Sequence, residues 1–255
     1  MSEFELIKRY FSAITPPRDD VLLGIEDDCA LLRVPNGMQL AVTMDTLVAG
    51  VHFFPDVDPE ALGHKALAVN LSDLAAMGAE PAWVTLALTL PEPDEAWLAG
   101  FSRGFAALAQ RHTVQLVGGD TTRGPLAITV QAHGLLPAGQ GMRRAGARVG
   151  DLIYVTGSLG DAGLALRKRR QGSPWEAVGS GLKQRLERPE PRLAAGLALR
   201  GIATAAIDIS DGLLADLGHI LESSGVGAEI HLSRIPLSDE VKTALHEERD
   251  WSLPL

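Results

Sequence analysis

Acidic side chains recur along this chain at points where a predicted strand gives way to a glycine-rich loop. Taken singly, each aspartate is ordinary turn chemistry, because Asp favours turns and helix caps. Taken together, they would supply the oxygen ligands that Mg²⁺ prefers, and ligands gather where the strands of α/β sheets end. The members of this set are Asp27, Asp28, Asp45, Asp73, Asp120, Asp208 and Asp211.

Asp73 lies in a predicted helix that begins near Asp58-Pro59, where an N-cap residue precedes a proline at the first helical position. Asn70 is three residues away, so the two polar side chains share one side of this helix. A carboxylate beside an apolar stripe is costly unless a positive charge neutralises it. For Asp73 alone, the alternative is an N-cap or surface aspartate. The predicted buried stripe is Leu67, Asn70, Leu71, Leu74 and Met77.

Carboxylates that face a polyphosphate repel it unless divalent cations lie between them, so a phosphate site of this kind would require the metal. Gly118-Gly119, just before Asp120, could bring backbone N–H groups close to phosphate oxygens, as could the loop at 157–163, although a glycine pair alone is more often a plain turn. Arg144 lies in a glycine-rich loop and is a candidate counter-charge for a phosphate. Zinc is disfavoured because the single cysteine and the scattered histidines have no ligand spacing.

Composition narrows the class of protein further. The 255 residues carry a formal charge of −9, and the only basic run, at 167–170, is interpreted as a solvated helix end, which argues against a nucleic-acid partner. The single cysteine fits a reducing cytoplasm. Residues 1–14 predict an amphipathic helix rather than a secretory signal, and no apolar run reaches the roughly 18–20 residues of a membrane span. Phosphate-loop, protein-kinase and nucleophile-elbow motifs are absent from the sequence.

Strands and helices alternate in both halves, which predicts an α/β or α+β fold class. The composition shifts to Gly, Arg and Ala over residues 138–150, and we expect a linker there between an N-terminal domain, 1–137, and a C-terminal α/β domain, 151–255. Strands are predicted at 21–24, 40–43 (ending at Asp45), 83–90, 114–117, 126–136, 152–156, 205–209 and 226–232. Helices are predicted at 1–14, from 58 to 78, at 94–112 (capped by Asp94), from 161, and at 213–223 and 238–248.

Five segments of the chain resemble, in the same order, the thiamine-monophosphate kinase family. Individual segments are shared with aminoimidazole ribonucleotide synthetase and selenophosphate synthetase, but the continuous likeness from Met44 to Pro91 favours the kinase. The five segments are GIEDDCALL at 24–32, MDTLVAGVHF at 44–53, NLSDLAAMGA at 70–79, GGDTTRG at 118–124 and DISDGL at 208–213.

This resemblance implies a two-domain α/β fold like that of aminoimidazole ribonucleotide synthetase. It implies a cytoplasmic homodimer that pairs through the N-terminal domains, with the ATP site near that junction. The implied reaction converts ATP and thiamine monophosphate into ADP and thiamine diphosphate, with several Mg²⁺ ions assisting. The γ-phosphoryl group would pass directly to the substrate phosphate, without a phosphoenzyme.

The resemblance also implies roles for individual residues. Asp73, Asp120 and Asp211 would be catalytic, and His52 would lie on the thiamine phosphate side, unless it is a strand-end histidine satisfied by a neighbour. Gly119, Asp120, Arg144 and Ser210 would contact ATP. The implied metal-site residues are Asp28, Thr43, Met44 (through its backbone), Asp45, Asp73 (shared by several ions), Asp120, Asp208 and Asp211. For Asp27 the alternative is that it orients the loop.

The sequence departs from the family pattern at three places. Glu26 replaces a small glycine, which would alter the backbone of the Asp28 loop, and Met44 replaces a common threonine. The sequence ends at Leu255, before the family's Gly-Gly-Glu-Asp-Tyr-Glu segment, so we expect an incomplete second domain with uncovered apolar surface. The alternative function is a nucleotide-binding or dimer-forming fragment without turnover. A relative with another substrate is a third possibility, which the likeness from Met44 to Pro91 disfavours.

Overall fold

The structure is a computed structural model that describes residues 3–25, 27–248 and 251–255. Glu26, which was expected to alter the Asp28 loop, lies outside these residues. The first described element is helix α1 (Glu3–Tyr10), which ends before residue 14, the predicted end of this helix. None of the helices in the described ranges combines the length and the apolar composition needed to cross a bilayer.

A mixed four-stranded sheet forms the centre of the first half, with strand order β3-β6-β4-β5. β6 is antiparallel to both of its neighbours, whereas β4 and β5 are parallel. The parallel pair requires a crossover, which helix α3 (Glu95–Arg111) supplies. The strands are β3 (Met38–Val48), β4 (Glu80–Leu90), β5 (Gln115–Arg123) and β6 (Ala127–Pro137).

Helices α2 (Pro59–Ala76) and α3 (Glu95–Arg111) pack side by side and cover one face of this sheet. Asp58 caps α2 by accepting the Glu60 N–H at 3.1 Å, and Asp94 caps α3 in the same way, as the sequence predicts. The two helices approach so closely that a Cβ on Gly104 would lie 1.8 Å from the Glu60 carbonyl oxygen. This contact fixes the position of α2, which carries Asp73.

The opposite face of the sheet is covered only in part. A small hairpin of β1 (Val21–Leu23) and β2 (Leu31–Leu32) packs over Trp83, which is fully buried. Further along the same face, Leu40, Val42 and Met44 of β3 are 44%, 52% and 62% exposed. The edge strand therefore presents an apolar surface on the side away from the helices.

The second half is mainly helical and has its own small core around Leu164, Leu182 and Val241. Helix α7 packs on α2, with Gly196 against the backbone of Ala75. The elements of this half are α4 (Asp161–Arg170), α5 (Trp175–Val178), α6 (Ser180–Glu187), α7 (Leu193–Leu199), α8 (Leu213–Ser224), a 3₁₀ turn (Leu232–Arg234) and α9 (Asp239–Glu248).

The strands predicted at 152–156, 205–209 and 226–232 are wrong, because these stretches join no strand ladder within the described residues. A strand needs a neighbour to receive its backbone hydrogen bonds, and none pairs with them here. In the first of these stretches, Leu152 and Tyr154 are 75% and 83% exposed.

Three further predictions require correction. β3 does not end at Asp45 but continues to Val48, and β5 continues through Asp120 to Arg123. Both aspartates therefore lie within strands rather than in loops, because a partner strand remains in register beyond them. Met77, predicted to be buried, is 38% exposed, because it is the C-cap of α2, beyond the helix's last turn.

Candidate functional site

The middle of the site is a hydrogen-bonded connection between α2 and β3. The Thr43 hydroxyl donates to Asp73 Oδ2, and Asn70 Oδ1 accepts the Asp45 N–H at 3.1 Å. Asn70 also donates from Nδ2 to the Ala66 carbonyl at 3.1 Å, which fixes its amide orientation. Asn70 and Asp73, one helical turn apart, thus hold α2 against the part of β3 that carries Asp45.

Asp45 lies on the helix-covered face of the sheet and is half-buried. Burial raises the pKa of the Asp45 carboxyl, and the negative charge of Asp73 raises that pKa further. His52 partly offsets both effects. Asp45 and Asp73 are therefore close enough to repel each other appreciably, with His52 nearby.

Asp208 joins the same pair from the second half of the chain. Burial raises the pKa of the Asp208 carboxyl, followed by the charge of Asp73, while a hydrogen bond with Ser72 opposes the shift. The charge of Asp73 therefore acts on both Asp45 and Asp208. Three acids that are distant in sequence form one acidic cluster, which we define as Asp45, Asp73 and Asp208.

The loop after Asp208 is shaped by a buried carboxylate that sequence reasoning missed. Asp216 Oδ2 accepts the N–H groups of Ser210, Asp211 and Gly212 at 2.8, 3.1 and 3.2 Å. Asp216 is 4% exposed, whereas the residues of the loop are more accessible. The spacing of Asp216, four residues after Gly212 in the first turn of α8, is the sequence signal that could have identified it.

His52 lies in a tight turn after β3 that is closed by two hydrogen bonds with Val48. The Val48 N–H donates to His52 Nδ1 at 3.0 Å, and the His52 N–H donates to the Val48 carbonyl at 3.0 Å. A third bond comes from Lys65 on α2, whose Nζ donates to the His52 carbonyl at 3.1 Å. Because Nδ1 accepts, the neutral ring carries its proton on Nε2, so the exposed His52 side chain offers a donor.

Asp28 and Asp120 are placed differently. Asp28 is exposed, and Asp27 accepts its N–H at 2.9 Å, which agrees with the alternative that Asp27 orients the loop. Asp120 pairs with Ala87 in the sheet, and the register places it on the face opposite to Asp45. Among residues 3–25, 27–248 and 251–255, no three acidic, histidine or cysteine side chains form a group that could hold one metal ion.

Three other residues that were predicted to border ATP or metal, Gly119, Arg144 and Met44, are positioned by local contacts. A Cβ on Gly119 would lie 1.9 Å from the Leu86 carbonyl oxygen, so the close approach of β5 to β4 requires glycine. The Arg144 carbonyl accepts from Ser224 Oγ at 3.2 Å, which ties its loop to the end of α8. The Met44 side chain points to the face opposite Thr43, so only the Met44 backbone borders the acidic cluster.

Comparison with family models agrees with this architecture. Residues 26–136 match the model described as AIR synthase related protein, N-terminal domain. Residues 148–249 match the model described as AIR synthase related protein, C-terminal domain. The predicted two-domain α/β fold class is confirmed by these matches together with the solved structures below.

Individual proteins and solved structures are similar to this chain over most of its length. The thiamine-monophosphate kinase of Salmonella typhimurium is 57% identical over 239 residues, covering 93% of this chain and 74% of the relative. The crystal structure of the kinase of the same name from Stenotrophomonas maltophilia superposes with a TM-score of 0.88 at 51% identity, covering 95% of this chain and 78% of that one. The structure of AaThiL complexed with AMPPCP and TMP gives a TM-score of 0.78 at 34% identity, covering 84% and 70%.

These identities extend over almost the whole chain and over about three quarters of each of the two closer proteins. They agree with the order of the motifs and with the acidic cluster that α2, β3 and the loop before α8 assemble. The chain belongs to the thiamine-monophosphate kinase family.

Proposed function

We propose that this chain transfers the γ-phosphoryl group of ATP directly to thiamine monophosphate, giving ADP and thiamine diphosphate, with magnesium required. The relatives' activity supports the reaction. The observation that carries the proposal is the acidic cluster of Asp45, Asp73 and Asp208 beside His52. Phosphoryl transfer needs positioning and charge neutralisation rather than a covalent nucleophile, and the cluster suits that need.

The chemistry of the cluster fits magnesium. Its carboxylates and the Thr43 hydroxyl are hard oxygen donors. Burial first and the charge of Asp73 second raise the pKa values of Asp45 and Asp208, and bound cations would favour the ionised carboxylates at both. Mg²⁺ is commonly held by one or two carboxylates, waters and substrate phosphates, so no ready-made group of three ligands is needed. Bound magnesium would supply charge neutralisation for the phosphate oxygens.

The residues of the chain then take separate roles. Asp73 would be shared between ions because its charge acts on both Asp45 and Asp208. His52 would donate from Nε2 to a phosphate oxygen of the acceptor substrate. The proposed ligands and contacts beyond these are Asp28, Thr43, the Met44 backbone, Asp120 and Asp211 for metal, and Gly119, Arg144 and Ser210 for ATP.

We also propose a homodimer through the N-terminal halves. Leu40, Val42 and Met44 give the uncovered face of β3 an apolar surface that a second copy would bury. Asp120 shares that face of the sheet, so it would lie near the junction of the two copies. The proposed division is 1–137, a linker at 138–150, and 151–255, and a cytoplasmic location fits the free, exposed Cys29.

The test is turnover by the purified chain. With ATP, magnesium and thiamine monophosphate, we expect thiamine diphosphate, detected by its thiochrome fluorescence after oxidation.

Asp73→Asn should lower the rate at least about 100-fold, because it removes a charge from the acidic cluster with little change in volume. ATP binding without product would support the alternative of a non-catalytic nucleotide-binding chain. Activity of Asp73→Asn within a few-fold of the parent would refute the shared-metal role.

A further inference from the structure

An arginine of the second half lies between two aromatic rings from different halves of the chain. The guanidinium carbon of Arg169, in α4, lies 5.0 Å from the ring centroid of Phe54 and 4.5 Å from that of Trp175. The two rings meet edge to face, with centroids 6.1 Å apart and planes at 82°. The prediction that 167–170 is a solvated helix end is wrong for Arg169, whose side chain is only 15% exposed.

The two terminal nitrogens of Arg169 contact the same two segments. Its Nη2 lies 2.6 Å from Asp56 Oδ2, and its Nη1 donates to the Ser173 carbonyl at 3.0 Å. A planar guanidinium can stack on rings and donate in its plane at the same time, which an ammonium cannot. We call the group of Phe54, Asp56, Arg169 and Trp175 the arginine clasp.

The clasp is continuous with the turn that carries His52. Phe53, next in sequence, is buried, and its carbonyl accepts the Gly50 N–H at 2.9 Å. Lys65 holds the same turn from α2 through the His52 carbonyl. The segment from Gly50 to Asp56 is therefore fastened on one side to the sheet and α2, and on the other side to α4 and α5.

We propose that Arg169 is a positioning residue for the acceptor substrate, because it holds the segment that presents His52. The proposal rests on the assignment of His52 to the thiamine phosphate side. Loss of Arg169 leaves Asp73 and the acidic cluster unchanged but frees Phe54 and Asp56. The turn that carries His52 is then held less firmly, although its bonds with Val48 and Lys65 remain. Affinity for the acceptor falls, while the ATP site keeps its geometry.

Arg169→Met, which keeps an unbranched apolar side chain but removes charge and donors, tests this directly. We expect the KM for thiamine monophosphate to rise roughly tenfold. The KM for ATP should stay within about twofold, and amide hydrogen exchange over residues 50–57 should accelerate. Arg169→Lys, which keeps the charge but not the planar fork, should restore only part of the affinity. Arg170→Met, an exposed neighbour in the same helix, is the matched control and should leave both KM values and the exchange unchanged.

Two results would overturn the proposal: unchanged exchange in Arg169→Met, or an equal rise in both KM values. If Arg169→Met does not fold, Phe54→Leu removes one ring of the clasp while keeping the charge pair, and the same criteria apply. His52→Ala separates this proposal from the one on which it rests. If His52→Ala leaves the KM for thiamine monophosphate unchanged, the role of His52 fails, whereas faster exchange in Arg169→Met would still establish the clasp.

Discussion

At the scale of single residues, the ionised carboxyl of Asp208 lowers the stability of the metal-free protein. Its pKa is raised by burial and by Asp73, so the folded protein binds a proton there more readily than the unfolded chain does. Its contribution to stability is therefore present at low pH and is lost as pH rises through the raised pKa. A carboxylate retained at such a cost is expected where function, rather than folding, requires it.

Asp208→Asn should consequently stabilise the protein in chelator at pH 8, by roughly 2–4 °C in melting temperature for each kcal/mol of repulsion relieved. The gap between variant and parent should close as pH falls toward the ordinary Asp range, because the parent carboxyl then becomes neutral. Thermal unfolding monitored by circular dichroism from pH 4 to 8 measures both effects. A variant that is less stable than the parent at pH 8 would show that Asp208 is not under repulsion.

Sequence reasoning identified the acids of the cluster because glycine-rich motifs surround them, but it could not show which acids meet. Asp45 and Asp120 stand in similar motifs, yet the sheet register puts them on opposite faces. Lys65 and Asp216 were missed because their roles depend on packing. Each is an ordinary helical residue until another segment brings a carbonyl or N–H groups to it.

At the scale of elements, the loop between Asp208 and α8 owes its shape to one buried acceptor. Asp216→Ala would leave three N–H groups of residues 210–212 without their common partner, at a cost of about 1–3 kcal/mol. Because Ser210 is the proposed ATP contact in this loop, we expect ATP affinity to fall about tenfold. Calorimetric titration of ATP with magnesium measures this change.

Asp239→Ala in α9, whose side chain is 95% exposed, is the matched control and should bind ATP as the parent does. Asp216→Asn keeps one acceptor oxygen and should lie between the parent and Asp216→Ala. Unchanged ATP affinity in Asp216→Ala would show that the loop at 210–212 does not contribute to ATP binding.

Helices were predictable where local signals and packing agree. α2 and α3 begin at the aspartate caps that the sequence indicates, and their apolar stripes face the sheet. The strands predicted at 152–156 and 205–209 failed for a physical reason: β-propensity does not create a strand without a pairing partner. The clasp around Arg169 was also beyond prediction, since a basic run ordinarily signals a solvated helix end.

At the scale of the whole molecule, the uncovered face of the sheet determines the expected assembly. Val42→Glu places a charge in the middle of the proposed apolar contact and should convert a dimer into a monomer. Because Val42 is 52% exposed in the single chain, folding of the subunit should survive the change. Sedimentation velocity distinguishes the two states.

Val149→Glu, at a position that is 94% exposed in the second half, is the control and should leave the dimer intact. A parent chain that sediments as a monomer would contradict the proposed dimer. A Val42→Glu variant that remains a dimer would show that the contact does not use this face of β3.

The central claim is that acids from three distant segments face the phosphates of ATP, with divalent cations between them. ATP affinity, measured by calorimetric titration of the parent chain with magnesium and again in chelator, tests it most directly. We expect tight binding with magnesium and a loss of at least about 100-fold in chelator, since bare carboxylates repel the triphosphate. Equal affinity in the two conditions would contradict it, because the carboxylates would then not be facing phosphate.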